Sequence, residues 1–125
     1  MKVTMWYPLV ALAALAAAPL AGSAGWGALL QDRALTDFND DDVRDYLAAV
    51  YALLDAPLPA APVDWSNART GAGARLEVIG QPQIEGFSEC RRVRTEVHSR
   101  KQKAQARTWT ACRDDEGGWR LVRGN

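Results

Sequence analysis

Two periodicities divide the chain. From Val43 to Leu54 the apolar side chains recur every three or four residues, which places Val43, Tyr46, Leu47, Val50, Leu53 and Leu54 on one stripe of an amphipathic helix. The stretch Phe38-Asn39-Asp40-Asp41-Asp42-Val43 reads as the start of that helix. Asn39 is placed to cap the free backbone N–H groups and Asp42 to close a capping box, with Phe38 and Val43 spaced as a hydrophobic staple. Three acids in the first turn also face the positive end of the helix dipole. Ala56-Pro57 ends the helix, and Pro57-Leu58-Pro59-Ala60-Ala61-Pro62 follows as a stiff connector.

Beyond Trp65 the period shortens to two. Ala74–Ile79, Phe87–Ser99, Gln105–Arg113 and Trp119–Arg123 read as four strands, joined at Gly80–Gly86, Arg100–Ala104 and Asp114–Gly118 by turn-forming residues. Connections this short imply antiparallel neighbours and a simple meander. The predicted fold is therefore α+β: one amphipathic helix packed on a small four-stranded antiparallel β-meander.

A hairpin symmetric about Lys101 would set Cys90 opposite Cys112, Val93 opposite Trp109 and Arg91 opposite Ala111. Because side chains alternate, Val93, Val97, Trp109 and Ala111 would share the face that receives the helix. The cysteines would lie on the other face with Arg92, Arg94, Thr108 and Thr110. Trp65, Trp109 and Trp119 are then expected to fill the core rather than to line a groove.

The first residues supply a cellular address. Lys2 gives a positive start, Leu9–Ala18 is an apolar run, and Gly22-Ser23-Ala24 offers small residues for cleavage after Ala24. This divides the chain into a signal peptide (1–24), an acidic helix with its Pro-rich connector (25–64) and a β domain (65–125). An uncleaved anchor is the competing reading, since Val3 to Gln31 carries no charge and a bilayer span needs about 20 apolar residues. Leu20-Ala21-Gly22-Ser23 has the outline of a lipoprotein box, but Ser23 lacks the thiol that would accept the lipid. Two cysteines in an exported chain are expected to pair, so Cys90 and Cys112 form a cross-strand disulfide.

Charge is unevenly placed although the formal total is zero: residues 32–64 carry a net of −6 and residues 65–125 a net of +5. Either the two halves attract one another or a basic face is kept for an anionic partner. Arg92, Arg94, Arg100, Lys101 and Lys103 on the central hairpin are the candidate anion-binding residues. In an envelope protein they would suit anionic lipid, lipopolysaccharide or another envelope protein. Nucleic acid is disfavoured by the compartment and by the lack of a recognised motif.

The segments Trp65-Ser66-Asn67, Thr70-Gly71-Ala72-Gly73, Cys90-Arg91, Ala111-Cys112-Arg113 and Gly118-Trp119 occur in an order that resembles the C-terminal domain of the bacterial seventeen-kilodalton surface antigen family. The resemblance runs from about Trp65 to Leu121. It implies an exported periplasmic or outer-membrane protein, often lipid-anchored, without an assigned reaction. Ser23 departs from that pattern, and the acidic helix stands where a glycine-zipper segment is often found.

Catalytic chemistry has little to build on. His98 is the single histidine, which argues against a His-based metal site, and Ser99 beside it points to the opposite side of a strand. Asp114-Asp115-Glu116 falls in a turn and is expected to form it. No cofactor or metal is expected, and a non-enzymatic binding or structural accessory role is favoured over a membrane-tethered accessory or a small hydrolase.

Overall fold

A computed structural model describes residues 33–122; the signal segment and Arg123 lie outside the described residues. A short 3-10 turn, Arg33–Asp37, leads into helix α1, Asp40–Asp55. Five strands follow: β1 (Val63–Asn67), β2 (Ala72–Gly80), β3 (Cys90–His98), β4 (Gln105–Arg113) and β5 (Trp119–Val122). They form one antiparallel sheet in sequence order, a meander with β1 and β5 at its edges.

The sheet thus has five strands where the sequence suggests four. Val63-Asp64-Trp65-Ser66-Asn67 alternates as a strand should, with Val63, Trp65 and Asn67 half-buried and Asp64 and Ser66 exposed. The run is short and follows three prolines, which made it read as the end of the connector. Its register, Val63 opposite Leu76 and Trp65 opposite Ala74, places the divide between connector and sheet at Pro62 rather than Asp64. β3 also begins later than expected: the chain turns over residues 84–87, where Phe87 N–H donates to the Ile84 carbonyl and Gly86 takes a φ of +95°, and Ser88 and Glu89 lie between that turn and the strand.

The central hairpin has the predicted register throughout, from Cys90 opposite Cys112 to Val97 opposite Gln105. Alternation then decides the faces. Arg91, Val93, Thr95 and Val97 point inward and are buried, whereas Arg92, Arg94, Glu96 and His98 point outward and stay partly accessible. A bulge at Ile79 interrupts the pairing of β2 with β3 and leaves that side chain 47% exposed.

The helix stripe closes the inner face. Tyr46, Val50, Leu53 and Leu54 are buried with Ala74, Leu76, Val93, Val97, Ala111 and Trp119, and Ala34 and Leu35 from the 3-10 turn extend the same core. Burial of a Leu or Val side chain contributes roughly 1.5–3 kcal/mol. Trp119 is buried in this core, while Trp65 and Trp109 are partly buried against it. Phe38, Tyr46 and Trp65 cluster where β1 meets the helix, with ring centroids 5.6 to 6.4 Å apart.

On the other face, Cys90 and Cys112 are joined as a disulfide across 22 positions of sequence. Both are shielded, at 4% and 0% exposure. Closing a loop of that length stabilises a domain by about 3 kcal/mol in the chain-entropy account. A Cys90→Ala, Cys112→Ala double variant is therefore expected to melt roughly 15 °C lower than the parent. A parent midpoint that does not move when a reductant is added would show that the cross-link contributes nothing.

Candidate functional site

Both ends of α1 are tied to the sheet, and the ties establish where cations remain free. At the N-terminal end Asn39 and Asp42 form the expected capping box, with Asp42 N–H donating to Asn39 Oδ1 at 2.7 Å. Asp42 is also completely buried. Its Oδ1 accepts from Asn67 Nδ2 at 2.7 Å and from the Thr70 hydroxyl at 3.2 Å. Burial alone would raise this carboxyl, but the donors from Asn67, Thr70 and the Asn39 backbone, helped by the Arg69 charge, outweigh it and hold the group below its ordinary value. Asp42 is therefore a cap that doubles as the anchor of the β1–β2 turn, a second role that helix-start signals do not show.

At the C-terminal end the inward-facing Arg91 donates from Nη1 to the Leu53 carbonyl at 3.0 Å and pairs with Glu89 at 2.9 Å. Arg113 bonds the same Glu89 at 3.2 Å and Asp55 at 3.3 Å. The Trp119 ring centroid is 5.6 Å from the Arg91 guanidinium and 4.5 Å from that of Arg113, and its Nε1 donates to Asp55 at 2.9 Å. Asp64 pairs with Arg75 at 2.8 Å. Two ion pairs, Asp55 with Arg113 and Asp64 with Arg75, thus join the acidic half to the basic half, and Arg91 and Arg113 are engaged inside the domain.

The five candidate cations fall into two groups. Arg92 and Arg94 stand on the outer sheet face. Arg94 is paired with Glu96 at 2.8 Å and lies opposite Glu77, while Arg92 leans towards the Thr110 hydroxyl at 3.5 Å. Arg100, Lys101 and Lys103 occupy the exposed tip of the β3–β4 hairpin. The stretch from Arg92 to Arg100 spans on the order of 25 Å along a strand, so the groups cannot act on one small anion.

No family model, curated protein or solved structure matches the chain. The site rests on its own geometry.

The tip is well ordered by its own bonds. Ser99 is nearly buried and its hydroxyl donates to Asp37 Oδ2 at 2.7 Å. The same oxygen accepts from the backbone N–H groups of Lys101 at 3.2 Å and Gln102 at 3.0 Å. Arg100 donates to the Arg69 carbonyl at 3.2 Å and lies across Gly71, where any Cβ would come within 3.1 Å of its Cβ and Nε. Gly71 has a φ of +82°, so the turn itself favours glycine. Arg69, which hairpin periodicity alone did not single out, thereby joins the tip from the neighbouring turn. Its signal was the Thr70-Gly71 turn beside it. Among the described residues no carboxylate lies within 4.0 Å of the charged groups of Arg69, Arg100, Lys101 or Lys103.

A shallow hollow of about 240 Å³ on the outer face is lined by Ser66, Arg75, Glu96 and His98 among others. The His98 ring lies directly over Gly73, where a Cβ would fall 2.4 Å from Cε1. Gly73→Ala is expected to lift the imidazole and cost about 1 kcal/mol, as overpacking does. That penalty should shrink sharply in a His98→Ala background, and an unchanged penalty measured by denaturant unfolding would refute the contact. Ser99 is committed to Asp37 and does not serve His98. Asp114 accepts from Gly118 N–H and Glu116 N–H, each at 2.9 Å, and from Arg120 at 3.2 Å, so it shapes the β4–β5 turn. Among the described residues no group of three or more His, Cys, Asp or Glu side chains is arranged to hold a metal ion, and no helix is long and apolar enough to cross a membrane.

Proposed function

We propose that this chain is an exported envelope protein whose small α+β domain works without catalysis, as a binding or structural accessory, by resting a basic hairpin tip on anionic envelope components. The observation that carries the reading is the tip itself: Arg69, Arg100, Lys101 and Lys103, brought together on two adjacent turns with no carboxylate partner within ion-pair distance among the described residues. The paired cations, Arg91, Arg94 and Arg113, are scaffold. The export signal in the first 24 residues and the disulfide fit an oxidising compartment.

The resemblance to surface antigens supports the same reading, and its motif residues acquire structural work. Asn67 and Thr70 hold Asp42, Gly71 and Gly73 make room for Arg100 and His98, and Arg91, Arg113 and Trp119 hold the far end of the helix. Lipid attachment at position 23 is excluded by the serine there.

Binding to vesicles containing phosphatidylglycerol, relative to neutral vesicles, tests the reading over a salt series. Each surface cation near an anionic membrane is worth about fivefold in affinity, so the Arg100→Ser, Lys101→Ser, Lys103→Ser variant should lose on the order of a hundredfold of that preference. Arg94→Ser, which removes a paired cation, should lose little. Equal losses in the two variants, or a preference indifferent to salt, would sink the proposal.

A further inference from the structure

We infer that the outer face of the sheet carries a second binding site, in the hollow above Gly73, for one neutral, hydroxyl-rich ring such as a sugar unit of a glycan. This contact does not depend on the basic tip and lies on another face of the domain.

The site follows from register. Across β1, β2 and β3 the pairing sets Asp64, Arg75 and Glu96 in one row and Ser66, Gly73 and His98 in the next. Residues two apart on a strand face the same side, so both rows look outward, away from α1. Gly73 stands in the middle of the second row and carries no side chain. The hollow of about 240 Å³ opens over these rows. Trp65 and Ala74 also border it, but their side chains turn to the core, where the Trp65 ring meets Phe38 and Tyr46.

The ion pairs decide which molecule suits the hollow. Among the described residues Arg75 uses only Nη1, in two bonds to Asp64 at 2.8 and 3.1 Å. Glu96 uses Oε2, on Arg94 at 2.8 Å. An anion therefore meets an Arg75 already neutralised by Asp64, with Glu96 beside it. A cation meets a Glu96 already neutralised by Arg94, with Arg75 beside it. A hydroxyl disturbs neither pair. It accepts from the remaining guanidinium N–H groups and donates to the remaining carboxylate oxygens, in bonds strengthened by the charge on the protein side. Between these polar tips lie Ala104 and the carbon stems of Arg75 and Glu96, which suit the C–H faces of a sugar ring. The hollow is smaller than the roughly 300 Å³ at which drug-sized pockets begin, so it admits one ring and not an extended chain.

Backbone amide NMR on the full chain tests this by titration with glucose, glucuronate and glucosamine in its ammonium form, which share a ring and differ in charge. Glucose should shift the amides of 64–66, 73–75 and 96–98 saturably, with a Kd in the millimolar range ordinary for a molecule of that size. The two charged sugars should bind more weakly. Arg75→Met, at an exposed position, should weaken glucose binding about tenfold. Arg94→Met leaves Glu96 without its cation and should make glucosamine the tightest of the three. Gly73→Ala, which lifts the imidazole into the hollow, should weaken glucose binding too. The Arg100→Ser, Lys101→Ser, Lys103→Ser variant should bind glucose as the parent does. Shifts elsewhere, no saturation in the millimolar range, equal affinity for all three sugars in the parent, or an unchanged order in Arg94→Met would overturn the site.

Discussion

Replacing Arg91 with methionine is expected to destabilise the domain by about 3–4 kcal/mol, in the range seen when one partner of a buried ion pair is removed. The side chain is only 5% exposed, against 34% for its partner Glu89. Methionine fills much of the volume but donates nothing. The Leu53 carbonyl at the end of α1 then loses its charged donor and keeps only the longer bond from the Ala56 N–H at 3.3 Å. Glu89 keeps Arg113, which limits the damage at the carboxylate. Trp119 loses one of the two cations beside its ring. Lysine should recover little, because a single ammonium cannot reach both Leu53 O and Glu89 with the guanidinium geometry. Urea unfolding of both variants measures the effect, and a loss below about 1 kcal/mol would mean that this arginine does not hold the helix end in solution.

That arginine illustrates what was legible in the sequence. The hairpin register could be read because two cysteines and the alternation of Val93 and Val97 against Trp109 and Ala111 allow only one alignment. The same alignment puts Arg91 opposite Ala111 on the core side, yet a run of Arg91, Arg92 and Arg94 reads as one basic ribbon. Alternation divides it: Arg91 is consumed by the helix end, Arg94 by Glu96, and Arg92 stays outside. Helix α1 was legible from its cap and stripe, both local features. β1 was not, since five residues behind a proline-rich run have too short a period to stand out, and their pairing with β2 is a tertiary fact. Arg69 and Arg100 meet only because two turns lie side by side at one end of the sheet, which no window of sequence contains.

The second large effect is expected at Asp42. Alanine there removes the capping-box acceptor and leaves the Asn67 amide without its partner, a combined cost of about 2–3 kcal/mol from one lost cap and one orphaned, half-buried donor. The consequence should reach the tip, because Asn67 and Thr70 define the turn whose Arg69 carbonyl and Gly71 backbone seat Arg100. Asparagine keeps the shape but not the charge, and it separates packing from electrostatics. The folded carboxyl is held below its ordinary value of 3.8, so its stabilising contribution is complete above that pH and is lost as pH falls through the lower, folded value. The parent should therefore lose stability in acid with a slope to which this residue contributes, and Asp42→Asn should show a shallower decline below pH 4. Parallel acid-unfolding curves for the two proteins would contradict the buried, donor-rich environment on which the β1–β2 turn depends.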